Sequence, residues 1–438
     1  SDTGSVAAAN LKTLDGKTAG VITVSAATIS GSYSDIADVY AAAQDGRISG
    51  LGNEALTVDA GMTAAQANSL AGLTSGVVTA TLASSSLADL SSLSETGNAY
   101  TITITDTTAA AADLNALDGK TTGAITATSM TSLSGSYSDV LAVLNSAGIT
   151  TSSTADAIAL TVTGSISVAE ANTLNALTEV GAITATISTN DMASLASLNA
   201  SSGTSHAYTI TVTDGSVNID ALNTLAGKTS VDVNASAVAT LTGGTADIAD
   251  FSTAYGAGIS GLGNEAITIS GGAISVSDTN TLAGYTTGVV TATIDLDTSD
   301  VSVTDANSTL SAGSADDRLS ITVDGDVDAA LTAAKLDALL SLDGKTSETI
   351  NASEVTSVSG TYAKVSALYA AGEAGTISGL GNEAVAVTGG AITVAEANTI
   401  ASQTTGAVTA TLSNTTLADY AALTETGNVY TICIADTS

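Results

Sequence analysis

Residues 114–128 read LNALDGKTTGAITAT, and relatives of this segment recur along the whole 438-residue sequence. Leu114 and Leu117 lie three positions apart, which is typical of one apolar stripe on a short helix. Gly119 and Gly123 are expected to end that helix, because glycine accepts the left-handed conformation at little cost. The following AITAT alternates small or apolar residues with threonine, which predicts a strand with one face buried and one exposed. The repeated unit is therefore a short helix, a glycine turn and a short strand.

The composition indicates a narrow core. The chain has no Pro, no Trp, one Phe and one Cys, and small residues dominate. Such residues fill a thin core that extends in one dimension better than a thick globular one. The hydrophobic content of 44% argues against disorder.

The charge excludes some partners and favours others. The chain has 43 acidic and 9 basic residues, which gives a net charge of −34. A general nucleic-acid surface needs basic stripes, so nucleic acid is excluded as a partner. Binding to anionic membranes needs basic patches, so it is disfavoured. The acidic surface would attract divalent cations, so calcium is the one cofactor that the composition favours. No run of about 18 apolar residues exists, so no membrane insertion is expected.

A long-range repeat organises the chain. About sixteen strand-like segments are spaced by about twenty to thirty-six residues, mostly with a helix-like segment between them, and they group in fours. This order predicts one continuous α/β solenoid without distinct caps, in which the strands of helix–turn–strand rungs pair in parallel; a leucine-rich-repeat-like and a β-helix-like cross-section both fit. The four superunits of four rungs are residues 1–105, 106–213, 214–323 and 324–438.

The four rungs of a superunit carry different motifs. The first has LDGKT or a variant, as at Leu117–Thr121, and the second has SGLGNEA, as at Ser378–Ala384. The third resembles Ile166–Asn172, ISVAEAN, and the fourth resembles Glu95–Ile104, ETGNAYTITI. In the second superunit, Thr150–Ala157 replaces the SGLGNEA loop. Neither end of the sequence shows a polar capping segment, so each end is expected to meet another copy head to tail.

These motifs carry a resemblance. SGLGNEA, LDGKTTG and ANTL are similar to tandem repeats in very large secreted surface proteins of bacteria, notably marine cyanobacteria, and to repeats in some phage fibre-like proteins. The resemblance implies an elongated, non-enzymatic protein located outside the cell or on its surface. The calcium-binding GGxGxD nonapeptides of many such proteins are absent from this sequence.

Threonine pairs mark the predicted strands. Three hypotheses fit them: β-branched Thr suits an exposed sheet face, the face packs on a neighbouring solenoid, or a flat threonine array binds ice. The array is interrupted at Asp232, Asn234, Asn351 and Ala386, which weakens the ice hypothesis. The threonines of this candidate face are Thr79, Thr81, Thr101, Thr103, Thr126, Thr128, Thr161, Thr163, Thr184, Thr186, Thr209, Thr211, Thr291, Thr293, Thr409 and Thr411.

Acidic residues recur at two places. The aspartates that follow the fourth strand of each superunit would cap the next helix, or would form a calcium ladder, because hard cations prefer several oxygen ligands. They are Asp106, Asp214, Asp324 and Asp436. Glu54, Glu265 and Glu383 of the SGLGNEA motif are read as turn carboxylates that bond within their own loop, with calcium as the alternative.

Four lysines recur in the first rung, at Lys17, Lys120, Lys228 and Lys345. Solvated turn residues, a contact to a carboxylate or to helix-end carbonyls, and a pair between subunits all fit this repetition. His206 stands where Asn98 and Asn428 stand in sister rungs, and Cys433 stands where Thr103 stands. Both are read as drift, with an intermolecular disulfide as the alternative for Cys433.

The residues favour assembly over catalysis. A single histidine and a single cysteine leave no nucleophile with a base and no histidine–cysteine metal site, so no enzyme is predicted. The leading hypothesis is a structural protein that forms an extracellular filament or surface fibre by end-to-end stacking. The alternative is a surface adhesin or phage-fibre module whose sheet face binds polysaccharide, cells or ice.

Overall fold

The computed structural model describes residues 4–151, 158–178, 181–201, 205–297, 300–311 and 315–435. The chain divides into two compact units. Unit 1 comprises Ser1–Thr211 and Gly227–Asp232, and unit 2 comprises Val212–Ala226 and Val233–Ser438.

Unit 1 alternates short strands with short helices. Its strands are β1 (Ser5–Ala7), β2 (Ile22–Thr23), β3 (Thr28–Gly31), β4 (Ile48–Ser49), β5 (Ala55–Val58), β6 (Val78–Thr81), β7 (Ala99–Thr103), β8 (Thr108–Ala110), β9 (Ile125–Ala127), β10 (Ser132–Gly135), β11 (Ile149–Thr151), β12 (Ala159–Ile166), β13 (Ile183–Ile187) and β14 (Ala207–Thr209). Its helices are α1 (Ala8–Asp15), α2 (Tyr33–Gln44), α3 (Ala64–Ala71), α4 (Leu87–Leu90), α5 (Ala111–Asp118), α6 (Tyr137–Asn145), α7 (Val168–Leu177) and α8 (Met192–Leu195).

The strands of unit 1 pair in parallel. A seven-stranded sheet has the order β1-β3-β5-β6-β7-β9-β11, a five-stranded sheet has the order β14-β13-β12-β10-β8, and β2 pairs with β4. Each sheet is open. Parallel neighbours need a crossover connection, and in most cases a helix of the same unit provides it.

Unit 2 has the same construction. Its strands are β15 (Ser216–Asn218), β16 (Val233–Asn234), β17 (Thr240–Gly244), β18 (Ile259–Ser260), β19 (Ala266–Ile274), β20 (Val290–Asp295), β21 (Arg318–Thr322), β22 (Ala330–Leu331), β23 (Ile350–Asn351), β24 (Ser357–Gly360), β25 (Ile377–Ser378), β26 (Ala384–Val387), β27 (Val408–Thr411) and β28 (Val429–Thr431). Its α-helices are α9 (Ile219–Ala226), α10 (Ile248–Ala254), α11 (Val276–Ala283), α12 (Val303–Thr309), α13 (Gly325–Asp328), α14 (Ala333–Asp343), α15 (Tyr362–Ala374), α16 (Val394–Ala401) and α17 (Leu417–Tyr420).

The sheets of unit 2 are also parallel and open. Their orders are β15-β17-β19-β20-β21-β23-β25, β22-β24-β26-β27-β28 and β16-β18. The predicted alternation of helices with parallel strands is thus confirmed in both units.

Aliphatic ladders form the core of each unit. In unit 1, Ile29 pairs with Leu56 and Leu56 with Val78, and all three side chains have an exposed fraction of 0%. Burying one such side chain stabilises the fold by about 1.5–3 kcal/mol. The intervening residues point outward, as the exposed Thr79 and Thr81 of β6 show. The period-2 prediction for these strands is confirmed.

The predicted cap of α5 by Asp106 was wrong, and so was the left-handed conformation expected where this helix ends, although it does end just before Gly119. The structure places Thr108 in β8, and α5 begins after Ala110, which makes no side-chain cap. Asp106 instead accepts a hydrogen bond from the Leu87 main-chain N–H at the start of α4. Gly119 follows α5 with a φ of −65°, so this helix ends without a left-handed residue.

The helix in the third repeat of each superunit begins with a capping box. In the ISVAEAN motif, Ser167 accepts a bond from the Glu170 N–H while Glu170 accepts one from the Ser167 N–H. Thr63, Ser275 and Thr393 begin α3, α11 and α16 in the same way. Such a capping box satisfies two N–H groups that lack helical partners, which explains how so short a helix forms.

Candidate functional site: the junctions between superunits

The candidate threonines are on the outer faces of the sheets. In unit 1, Thr161 pairs with Thr184, and Thr186 pairs with Thr209, so hydroxyls lie in register on neighbouring strands. Most are exposed, while Thr126 and Thr291 are half-buried. In unit 2, Thr293 is next to Ser320 and Thr291 is next to Arg318, so the row is interrupted there. Thr128 is exposed but lies beyond the end of β9. Whether this face binds anything stays a prediction.

The candidate calcium ligands mainly bond backbone. Besides the Asp106 bond to α4, Asp324 is fully buried and accepts from the Asp326 and Val327 N–H groups at the start of α13. Asp214 is half-buried, and Asp436 lies outside the described residues. Within the described ranges, no group of three or more His, Cys, Asp or Glu side chains is arranged to hold a metal ion. The calcium ladder stays a prediction.

Three of the repeat lysines bind main-chain carbonyls. Lys120 donates to the Ser94 oxygen at 2.9 Å, and Lys228 donates to the Ala196 oxygen at 2.9 Å. Lys345 donates to the Asn307 and Leu310 oxygens at 2.6 and 2.7 Å, and burial lowers its pKa. Each acceptor lies in or just after the fourth-repeat helix of the preceding superunit, where carbonyls lack helical partners.

Lys17 differs from the other three. Its loop is the first of the chain, and its side chain is exposed. Within the described residues, the Lys17 ammonium has no hydrogen-bond acceptor. The hydrogen bond that Lys17 makes is from its main-chain N–H to the Leu14 carbonyl.

The threonine after each lysine makes a second repeated contact. Thr121 Oγ accepts from the Tyr100 N–H at 2.8 Å and donates to the Tyr100 carbonyl at 2.9 Å. Thr346 makes the same two bonds with Leu319, at 2.9 and 2.8 Å. Each threonine thereby ties its loop to the fourth-repeat strand of the preceding superunit. Thr18, the first member of the series, is exposed.

Strand pairing continues this contact. After the Lys-Thr loop, β9 pairs with β7 in the register Ile102–Ile125 and Thr103–Thr126. In unit 2, β23 pairs with β21, and the Val323 N–H donates to the Asn351 carbonyl at 2.9 Å. We call the Lys-Thr loop and following strand of one superunit, together with the fourth-repeat strand they contact, a superunit junction.

The side chains at the junctions are buried. Ile102 and Ile104 of the unit 1 junction have exposed fractions of 0% and 1%. Ile321 and Val323 of the unit 2 junction are both 1% exposed. The junction therefore combines main-chain pairing, a charged hydrogen bond and buried aliphatic side chains, which together resist the entry of water.

A polar side chain joins neighbouring repeats just before each fourth-repeat strand. Asn98 Oδ1 accepts from the Val78 N–H at 2.9 Å, and Asn428 Oδ1 accepts from the Val408 N–H at 2.8 Å. Asp317 Oδ1 does the same for Val290 at 2.8 Å. We call these residues the linking position.

His206 occupies the linking position in the second superunit and makes the bond that Asn98 and Asn428 make in theirs. Its Nδ1 accepts from the Ile183 N–H at 3.1 Å, and its Nε2 lies 2.8 Å from Asn175 Oδ1. Because Nδ1 accepts a hydrogen bond, the proton of the neutral imidazole lies on Nε2, and this N–H donates to Asn175 Oδ1. The side chain is 1% exposed, and this burial lowers its pKa.

Acidification is expected to weaken unit 1 through His206. Because its folded-state pKa lies below the unfolded value of about 6.5, the stabilisation is complete above about pH 6.5 and is lost as the pH falls below it. His206 is the sole histidine, so its NMR titration is unambiguous. His206→Asn copies the residue at 98 and 428 and should remove this pH dependence, measured by chemical denaturation between pH 8 and 5. A histidine that titrates at or above 6.5 would contradict the argument.

Comparison with known proteins gives no relative: no family model, no curated protein and no solved structure matches the chain. No helix in the described part of the chain is long and apolar enough to span a membrane. The site must therefore be interpreted from its own geometry.

Sequence reasoning found the lysines but missed what their neighbours do. The Lys-Thr pair was visible as a motif, yet the bonds of Thr121 depend on Tyr100, which lies 21 positions earlier. The shared position of Asn98, His206 and Asn428 was visible in the sequence, but its bonds were not. Asp317 has the same position, two residues before Leu319 as Asn98 is two residues before Tyr100.

Proposed function

We propose that this chain is a non-enzymatic structural protein, in which parallel α/β repeats stack as a solenoid and copies join end to end into an extracellular fibre. The observation that carries this proposal is the repeated superunit junction. Lys120 and Thr121 bond to the fourth repeat of the superunit before them, and β9 pairs with β7 of that repeat. Contacts of this kind join each superunit to its neighbour.

Buried aliphatic side chains reinforce these junctions, since Ile102, Ile104, Ile321 and Val323 are each at most 1% exposed. A heterologous contact between two different faces continues from copy to copy and gives a fibre.

The extracellular location rests on the resemblance of the SGLGNEA and LDGKTTG motifs to repeats of bacterial surface proteins. The four-superunit organisation supports the solenoid part of the proposal, because solenoids are stabilised by contacts between neighbouring repeats.

Light scattering after size exclusion, together with negative-stain electron microscopy, tests the proposal on the 438-residue chain. We expect mass to increase with protein concentration and filaments to appear. A monomer at every concentration up to the millimolar range would overturn the proposal.

Assembly is expected to strengthen with salt. Each copy carries a net charge of −34, so copies repel one another. Raising the ionic strength from about 0.01 M to about 0.15 M shortens the screening length from about 30 Å to about 8 Å. Sedimentation at a fixed protein concentration should therefore show more polymer at the higher salt; less polymer would indicate contacts dominated by ion pairs.

A second function is favoured by the exposed hydroxyl rows. In unit 1, Ser134, Thr161 and Thr184 lie on successive paired strands, which gives a regular polar face suited to polysaccharide or ice. An ice recrystallisation assay at micromolar protein tests it. Thr184→Tyr should remove the activity while leaving assembly intact, and wild-type protein without activity would contradict ice binding.

A further inference from the structure

The third superunit departs from the repeat at the turn after its third strand. In the first superunit, the helix N-cap Ser86 lies four residues after the buried Leu82. In the third superunit, the N-cap Ser302 lies eight residues after the equivalent Ile294, so this turn is longer by four residues. The aspartates of the longer turn are Asp295, Asp297 and Asp300.

The next turn along the chain is also longer. Asp106 accepts a hydrogen bond from the Leu87 N–H, and Asp328 accepts the same bond from the Val303 N–H at 2.7 Å. Asp328 is therefore the equivalent of Asp106 in the third superunit. It lies three residues further from the end of its strand than Asp106 does, and the additional residues form most of α13.

The two longer turns lie side by side in unit 2. Asp295 of β20 pairs with Thr322 of β21, and the Leu296 N–H donates to the Thr322 carbonyl at 3.1 Å. Asp297 and Asp324 each lie two residues beyond this pair. The parallel register therefore brings both aspartates to the same edge of the sheet. Insertions that share one face of a repeat protein often form its binding face.

The side chain of Asp324 has one oxygen that the fold does not use. Its Oδ1 accepts from the Asp326 and Val327 N–H groups at 2.7 and 3.1 Å. Its Oδ2 is buried, and no described residue donates a hydrogen bond to it. The residue has an exposed fraction of 0%. Burying a carboxylate is unfavourable unless its oxygens are paired or bind a metal ion, so this free oxygen indicates a positively charged ligand.

No lysine or arginine among the described residues forms an ion pair with Asp324. The ammonium of Lys335, on the neighbouring α14, lies 3.1 Å from Asp328 Oδ1 and donates to the Val327 carbonyl at 2.6 Å. Asp328 is therefore neutralised by a basic side chain, whereas the charge of Asp324 is not.

Further carboxylates approach Asp324. Desolvation raises the pKa of Asp297, and the charge of Asp324 raises it further, ahead of the charges of three other neighbouring aspartates. Glu354 of the following repeat covers Gly325, since an added Cβ atom on that glycine would collide with the Glu354 side chain. The two longer turns thus gather negative charge around one buried, unpaired oxygen.

From the unpaired oxygen of Asp324, the register that places Asp297 beside it and the two longer turns, we propose that the third superunit binds one calcium ion between Asp297 and Asp324. Calcium accepts about six to eight oxygen ligands, including water, in irregular geometry. No three carboxylates of the described residues converge on one point, so water completes the shell.

This single site differs from a calcium ladder along the repeat. Asp106 and Asp328 share a position, but both use it to bond the first N–H of a helix. The sister turns of the first superunit contain Ala83, Ser84 and Ser85 in one and Thr105 in the other, with no carboxylate. We therefore expect one ion per chain. The proposal concerns a single chain and does not depend on end-to-end assembly.

Isothermal titration of the 438-residue chain with calcium chloride, in about 0.15 M sodium chloride to screen the net charge, tests the site. We expect one ion with a Kd of about 10⁻⁴–10⁻³ M. Asp324→Asn keeps an acceptor for the α13 N–H groups but removes the charge, and Asp297→Asn does the same on the other turn. Each should weaken binding at least about tenfold. Wild-type affinity in both variants would overturn the proposal.

Asp220→Asn is the matched control. It removes one carboxylate from the exposed face of α9, in the same unit, and should leave calcium binding unchanged. Because the chain carries a net charge of −34, calcium is also attracted without a defined site. Equal weakening by Asp220→Asn and Asp297→Asn would show that general attraction alone, and would overturn the site.

Stability gives a second readout with an opposite sign in the two conditions. In a calcium chelator, Asp297→Asn should leave unit 2 as stable as in the wild type or more stable, because the repulsion from Asp324 is removed. In about 10 mM calcium, the unfolding midpoint of the wild type should rise while that of Asp297→Asn does not. A midpoint that rises equally in both would contradict the site.

Hydrogen exchange locates the effect. Calcium should slow exchange in wild-type peptides that cover residues 318–331 and should leave the equivalent peptides of unit 1, residues 99–110, unchanged. Equal slowing in both would overturn the assignment to the third superunit. Calcium binding by a chain that stays monomeric would support this inference and overturn only the proposed assembly.

Discussion

Replacing Glu383 by alanine is expected to lower the free energy of unfolding of unit 2 by about 3 kcal/mol. Glu383 is fully buried, and its carboxyl oxygens accept bonds from the Gly381 and Asn382 N–H groups at 2.9 and 3.0 Å. The Tyr369 hydroxyl also donates to it. Alanine would remove the acceptor of all three donors. Gly381 is half-buried and Asn382 is exposed, so the buried Tyr369 hydroxyl is the donor expected to cost most, because an unsatisfied buried donor costs about 1–3 kcal/mol.

Sister loops provide a graded comparison. Glu54 and Glu265 make the same bonds to their own loops, but in the described residues the hydroxyls of Tyr40 and Tyr255 have no partner. Glu54→Ala should therefore destabilise unit 1 less than Glu383→Ala destabilises unit 2. The exposed Glu373, on the nearby helix α15, serves as the surface control, and its replacement by alanine should change stability by less than about 0.5 kcal/mol.

Denaturant titration followed by circular dichroism measures these effects, and hydrogen exchange of peptides from each unit assigns them. Burial, followed by the bond to Glu383, raises the pKa of Tyr369, so alkaline titration of this tyrosine gives a second readout that Glu383→Ala should lower. Equal stability of the Glu383→Ala and Glu373→Ala variants would refute the role of the loop.

Gly406→Ala should destabilise unit 2 by a similar amount, about 3 kcal/mol, through a backbone collision. A Cβ atom on Gly406 would lie 2.2 Å from the main-chain oxygen of Glu383 and 2.5 Å from its carbonyl carbon. The neighbouring Thr404 donates to that same oxygen at 2.7 Å, so the loop cannot move away without losing this bond. Gly76 and Gly288 approach Glu54 and Glu265 in the same way.

Gly344 is the matched control for this substitution. It follows α14 in a right-handed conformation, and the nearest atom to an added Cβ is 3.5 Å away. Gly344→Ala should therefore be neutral or should stabilise unit 2 by about 0.4–1 kcal/mol, because alanine restricts the unfolded chain. The two variants are compared by thermal and denaturant unfolding, and a Gly406→Ala protein as stable as Gly344→Ala would contradict the collision.

Much of the local architecture followed from the sequence, because period-2 and period-3 patterns reflect single elements. The strand at Val78–Thr81 and the helix at Ala111–Asp118 were visible in this way. Short strands such as Thr28–Gly31 were missed, since four residues that include glycine carry no clear period. The described residues hold 28 strands, where the sequence suggested about sixteen, because each first repeat contributes more than one.

The candidate site could be predicted only in part. The repetition of Lys120 and Lys345 pointed to helix-end carbonyls as one of several acceptors, and the structure shows that contact. The bonds of the linking position were beyond sequence reasoning. Asn98 and His206 were seen to share a repeat position, but only the structure shows that each accepts from a main-chain N–H of the neighbouring repeat.

The linking position has a consequence for how such a chain can evolve. Asparagine, histidine and aspartate each occupy this position, because the repeat needs only an acceptor atom about 2.8–3.1 Å from one main-chain nitrogen. A repeat protein can therefore exchange the chemistry of one repeat while its sisters preserve the scaffold. His206 illustrates the result. One titratable side chain makes the stability of one superunit depend on pH, whereas the asparagines at the same position in other superunits do not titrate.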